Sequence, residues 1–261
     1  LWLPQTWSPN SDVEQYFSAD NLATYNLFGI RYVVAPPSTS PQSFWKLIKE
    51  TPTWKLYEVP ITEYFTTGVR QAIVATDKRS YRNVIRLWIQ NNTTHQLGLY
   101  PELTFAKDYP KKTGLPNFRM TDEVTYIVPD GSTHNLFREP PIYLSDSKVR
   151  PDILSQSVDT DMIFKAKVSV PKGCTECIMV LKQSFHPTWR ATIDGKPVKP
   201  FSVFPVFLAV SVPEGDHEVV FSYEPARLKV VLLIISLASV VLIYGSSRFI
   251  PGILSKSLSK L

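Results

Sequence analysis

The side chains best suited to chemistry are two cysteines, Cys174 and Cys177, the only ones in the chain, set as Cys-x-x-Cys beside a turn. A zinc site needs four ligands, and the nearest further donors, His186 and His217, lack the spacing of a finger. A redox Cys-x-x-Cys opens a helix, whereas this one leads into a strand. Two readings remain: a local disulfide closing the turn in an oxidising exterior, or a pair of free thiols. The four histidines, His95, His134, His186 and His217, stand apart, and His217 reads as a strand-start residue packing over its turn. No nucleophile elbow, paired-carboxylate motif, Gly-rich phosphate loop or dinucleotide fingerprint accompanies them. No catalytic, cofactor-binding or metal-binding residue is therefore assigned, and no cofactor is expected. Six tryptophans, Trp2, Trp7, Trp45, Trp54, Trp88 and Trp189, offer either sugar platforms or core and interfacial anchors, with Trp189 the candidate surface aromatic. Asn91-Asn92-Thr93-Thr94 contains two overlapping glycosylation acceptors.

The elements that must position these groups follow from composition and periodicity. Twenty-two prolines against ten glycines, with twelve tyrosines, favour short strands broken by turns, so the expected class is α+β, mainly β. The net charge of +5 comes from basic residues interspersed with acidic ones, which points away from nucleic acid and toward anionic lipid headgroups. In residues 1–145, Asn21 to Phe28 reads as a helix stopped by Gly29, and Ile30 to Val34 as a strand ending at Pro36-Pro37. Pro41 to Glu50 is expected as a helix, Trp54 to Val59 and Val69 to Ala75 as strands, and Lys78 to Gln90 as an amphipathic helix burying Val84, Leu87 and Trp88. Thr104 to Asn117 reads as loop and Val124 to Val128 as a strand closed by Pro129-Asp130-Gly131. This small α/β module is expected to end in the polar stretch Ser145 to Asp159.

Residues 160–225 read as an antiparallel, jelly-roll-like β-sandwich. Met162, Phe164, Ala166, Val168 and Val170 alternate with polar residues, Pro171-Lys172-Gly173 turns, and Ile178 to Leu181 forms the next strand. Trp189, Ala191 and Ile193 alternate up to Asp194-Gly195, a strong hairpin signal; Val206 to Val212 and His217 to Tyr223 complete the set. From Val230 to Ser247 there is no charge, so 228–247 is expected to be a transmembrane helix, followed by a basic tail, 248–261. Arg248, Lys256 and Lys260 lean weakly toward a cytoplasmic tail. The missing initial methionine favours a C-terminal piece of a longer protein over a tail-anchored chain.

The run from Ser184 to Val198, with Pro187, Trp189, Asp194 and Gly195, then Gly215 and His217, then Tyr223 and Pro225, resembles the C-terminal end of the YfhO-like bacterial membrane proteins. Thr188 stands where that family usually has glycine. The segment Asn26 to Val34 is similar to the one that opens the extracytoplasmic region of the same proteins. The resemblance implies the C-terminal extracytoplasmic region and last span of a polytopic GT-C glycosyltransferase that uses a polyprenyl-phosphate-linked sugar, this piece being itself non-catalytic. Its expected partners are the bilayer, the N-terminal spans of the same protein, a lipid-linked sugar and a glycan acceptor. The alternative is a membrane-anchored, non-enzymatic carbohydrate- or protein-binding module.

Overall fold

A computed structural model describes residues 15–61, 64–77, 80–90, 96–105, 117–120, 125–128, 130–135, 149–160, 162–224 and 231–244. Trp2, Trp7, the Asn91 to Thr94 acceptors, His95, Pro225 and the basic tail lie outside these residues. The chain divides into two compact units, Leu1–Ser222 and Tyr223–Leu261.

The first unit opens with α1 (Leu22–Phe28), whose start and stop are local chemistry. The Asn21 side chain accepts from the Ala23 N–H, and Gly29 takes a left-handed φ of 67° that any other residue would adopt at a cost. Strand β1 (Tyr32–Ala35) follows as expected, but Lys46–Glu50 is a strand, β2, where a helix was expected. Thr51 donates its N–H to the Trp54 carbonyl at 2.8 Å, making a hairpin that pairs β2 with β3 (Lys55–Glu58). β3 also pairs with β1, so the order is β1-β3-β2. A helix at 46–50 would leave one edge of β3 open; the tertiary pairing outweighs the local preference.

Strand β4 (Phe65–Ala75) organises the largest sheet. It runs parallel to β5 (Leu99–Thr104) and to β6 (Asn117–Met120), and its first half pairs antiparallel with β11 (Cys177–Ser184). Between β4 and β5 lies α2 (Tyr81–Gln90), which buries Val84 and Trp88 completely; the Trp88 indole N–H donates to the Leu99 carbonyl at 3.1 Å. Strands β7 (Thr125–Ile127) and β8 (Thr133–Asn135) extend the β6 side as a hairpin about the Asp130-Gly131 turn.

The second half supplies β9 (Asp152–Thr160), β10 (Ile163–Val170), β12 (Trp189–Ile193), β13 (Lys196–Val198), β14 (Phe201–Val203), β15 (Phe207–Ser211) and β16 (Gly215–Tyr223). Five of its strands make one sheet in the order β13-β12-β16-β10-β9. The others join the N-terminal strands, and the pairings β11–β15–β14–β5–β4–β11 close a circuit. Residues 162–224 contain no helix, as expected of a mainly β chain. The stretch 145–159, expected as a domain boundary, lies inside the first unit, because β4 and β5 from one side of it share a sheet with β11 and β14 from the other. Strand β11 is paired on both edges and buried on both faces, which accounts for the continuous apolar run from Cys177 to Leu181, each at most 1% exposed.

In the second unit, residues 231–244 form a helix, α3, with every residue exposed. No helix among the described residues is long and apolar enough to cross a membrane.

Candidate functional site

Four of the residues singled out by sequence, Asp194, Gly195, Gly215 and His217, gather where β12 ends and β16 begins. Asp194 and Gly195 both have positive φ, 50° and 75°, the requirement of a type I′ turn joining β12 to β13. The Asp194 N–H donates to the Glu218 carbonyl at 2.9 Å, and its Oδ1 accepts from the Glu218 N–H at 2.9 Å. Its Oδ2 lies 2.7 Å from His217 Nδ1, while His217 Nε2 lies 3.2 Å from the Glu214 carbonyl oxygen. Both ring nitrogens therefore face acceptors, an arrangement satisfied best by the imidazolium, which donates from each. The Asp194 contact holds the His217 pKa above its ordinary value; the same contact, then the Glu218 N–H, holds Asp194 below the carboxylate range. Gly215, at φ 114°, turns the chain into β16 just ahead of this clamp.

Trp189, weighed as a surface aromatic, points inward with Ala191 and Ile193 and is 7% exposed, its ring 6.0 Å from Phe164. Burial by strand alternation removes it as a sugar platform. Pro187 sits in the exposed turn before β12, and Tyr223 ends β16 half-buried. Cys174 and Cys177 are joined by a disulfide, with Cα atoms 5.6 Å apart. Glu176, inside that loop, holds Arg70 of β4 at 2.7 Å, and Arg70 reaches Glu102 of β5 at 2.9 Å. The loop is thereby fastened to the large sheet. His134 stacks on Tyr126, and His186 Nδ1 lies 2.7 Å from the Thr188 hydroxyl. Among the described residues no three His, Cys, Asp or Glu side chains group as metal ligands.

A second site was missed by sequence reasoning. A cleft of about 750 Å³ is lined by Asn21 and Asn26 of the α1 region, Thr66 of β4, Tyr100 of β5, Arg150 and Lys182 of β11. Lys182 is half-buried and donates from Nζ to the Asn26 carbonyl at 2.7 Å; burial pushes its pKa down to about 8. Arg150 is exposed and donates from Nη1 to the Gln96 carbonyl at 2.9 Å. Burial pushes the Tyr100 phenol up to about 12, so it remains a neutral hydroxyl. Two glycines shape the wall. A Cβ on Gly68 would meet the Gly98 carbonyl at 2.3 Å and the Tyr100 ring at 2.7 Å, and one on Gly98 would meet Arg150 Cδ at 2.9 Å. The one sequence signal was Lys182 directly after the apolar run of β11.

Residues 166–235 match the family described as bacterial membrane protein YfhO. That segment is YfhO-like. The match covers the clamp, the disulfide loop and the first residues of α3, and extends across both units. A family of bacterial membrane proteins supports a membrane location for this YfhO-like chain. Neither a curated protein nor a solved structure matches it.

Proposed function

We propose that this chain is the C-terminal extracytoplasmic region and final membrane span of a polytopic GT-C glycosyltransferase that uses a polyprenyl-phosphate-linked sugar, its catalytic groups lying outside residues 1–261. The observation that carries the reading is the single YfhO match from 166 to 235, which takes in strand-rich sheet and apolar helix together. In this reading the uncharged run from Val230 to Ser247 spans the bilayer, residues 231–244 being its helical centre. Arg227 and Lys229 meet lipid phosphates at one end and Arg248 at the other. The large sheet, built from both halves of the first unit, serves as a rigid body over the acceptor path.

The short Glu224-Pro225-Ala226-Arg227 connector supplies the test. Inserting ~10 Gly/Ser residues after Pro225 in the full-length protein frees the mount. Transfer from a lipid-linked donor in membranes is expected to fall while the sheet's thermal transition stays in place. Unchanged transfer would reduce the helix to an anchor, whereas no transfer by the parent protein itself would favour the non-enzymatic binding module.

A further inference from the structure

A second cleft, of about 640 Å³, shares the lining residues Ile61 and Lys182 with the first. Its wall carries Tyr32, Tyr64, Val158, Gln183 and Arg31. Tyr32 and Tyr64 are 54% and 46% exposed; the Arg31 guanidinium lies over the Tyr32 ring at 5.5 Å, and Tyr64 stands edge-on to Phe164 at 5.3 Å. Arg31 is committed to Glu58 at 2.9 Å, so it braces the rim and adds no free charge. The first cleft differs in character. Its described lining contains two cations, Arg150 and Lys182, three amides, the Thr66 and Tyr100 hydroxyls and no carboxylate.

We propose that the two clefts form one groove that binds an anionic saccharide, a sugar bearing a phosphate or carboxylate. Arg150 and Lys182 would receive the anion, with the amides of Asn21, Asn26 and Gln96 within the same cleft for hydroxyls. The guanidinium suits this role because its fork of donors matches two anion oxygens while one arm stays on the Gln96 carbonyl. The uncovered parts of the Tyr32 and Tyr64 rings would offer apolar surface to sugar C–H groups. Gly68 and Gly98 are needed to seat Tyr100 and Arg150 in the wall, so the site is built into the packing of β4 on β5. Binding here does not depend on the transferase reading, since it needs only the first unit's own residues.

The test uses the full chain in detergent micelles, titrated calorimetrically with glucose 1-phosphate, glucuronate, neutral glucose and inorganic phosphate. At least one charged sugar is expected to bind about tenfold or more tighter than both glucose and phosphate, and the tighter of the two identifies the anion. Arg150→Gln and Lys182→Met should each weaken that sugar by about tenfold. Tyr32→Ala should weaken the charged sugar and leave inorganic phosphate unaffected. Arg150 and Tyr32 are exposed, so those two variants keep the test decisive if Lys182→Met fails to fold. Equal affinity for charged and neutral sugars, equal affinity for inorganic phosphate, or full binding by Arg150→Gln and Tyr32→Ala would each overturn the proposal. None of these readouts involves transfer, so they fail independently of the linker experiment.

Discussion

The clamp between Asp194 and His217 joins two turns that are distant in sequence, and its strength is tied to pH. Asp194, with its pKa held down, contributes above the ordinary carboxylate value and loses its contribution as pH falls through the lowered one. His217, with its pKa raised, contributes fully below the ordinary imidazole value and loses its contribution as pH rises through the raised one. Both contributions are complete only between about pH 3.9 and about pH 6.5. The His217→Gln variant should therefore lose less thermal stability than the parent when pH is raised from about 5.5 to about 8.5. Parallel melting curves for parent and variant across that interval would show that the ion pair does not couple to folding. Sequence reasoning placed His217 as a residue over its turn, which it is, but its carboxylate partner lies twenty-three positions away and had no local signal.

At the scale of elements, the contact of β4 with β5 decides the shape of the cleft. Gly68 sits opposite Ile178 of β11 while its Cα faces the Gly98 carbonyl and the Tyr100 ring. Two backbones and an aromatic ring meet where a methyl would need space, and at least one of the blocking atoms is backbone that cannot rotate away. Gly68→Ala is expected to cost about 1–3 kcal/mol, by overpacking. Urea unfolding should read it as a lower midpoint with an unchanged slope. A midpoint equal to the parent's would mean that β5 can shift without cost. The helix expected at Pro41 to Glu50 fails for a related reason: Trp45 packs its ring 5.2 Å from Tyr57 of β3, and pairing 46–50 with β3 is what keeps that contact.

For the whole first unit, the consequence is that neither half carries a complete large sheet. Strands β11, β14 and β15 need β4 and β5 to close their circuit, and Phe65 of β4 lies 6.1 Å from Phe221 of β16. Residues 149–224 expressed alone would expose one edge of β11 and its apolar run to water. That fragment is expected to show no cooperative thermal transition and to aggregate, whereas the chain from Leu1 melts cooperatively. A sharp transition and a dispersed amide spectrum from the fragment would establish the sandwich as an independent domain.

What the sequence by itself determined is local: the caps Asn21 and Gly29, the Asp194-Gly195 turn, the alternation of Phe164 to Val170, and the apolar run through 231–244. These depend on backbone sterics and on a period of two or 3.6 residues, which neighbouring side chains dictate. Only the tertiary structure decided that Lys46–Glu50 is a strand, that Phe65 to Val69 pairs with β11, and that Lys182 and Arg150 face one cleft. The pairing of β4 with β11 joins residues more than a hundred positions apart, because covering open strand edges and burying the apolar faces of both halves together lowers the free energy more than any local preference.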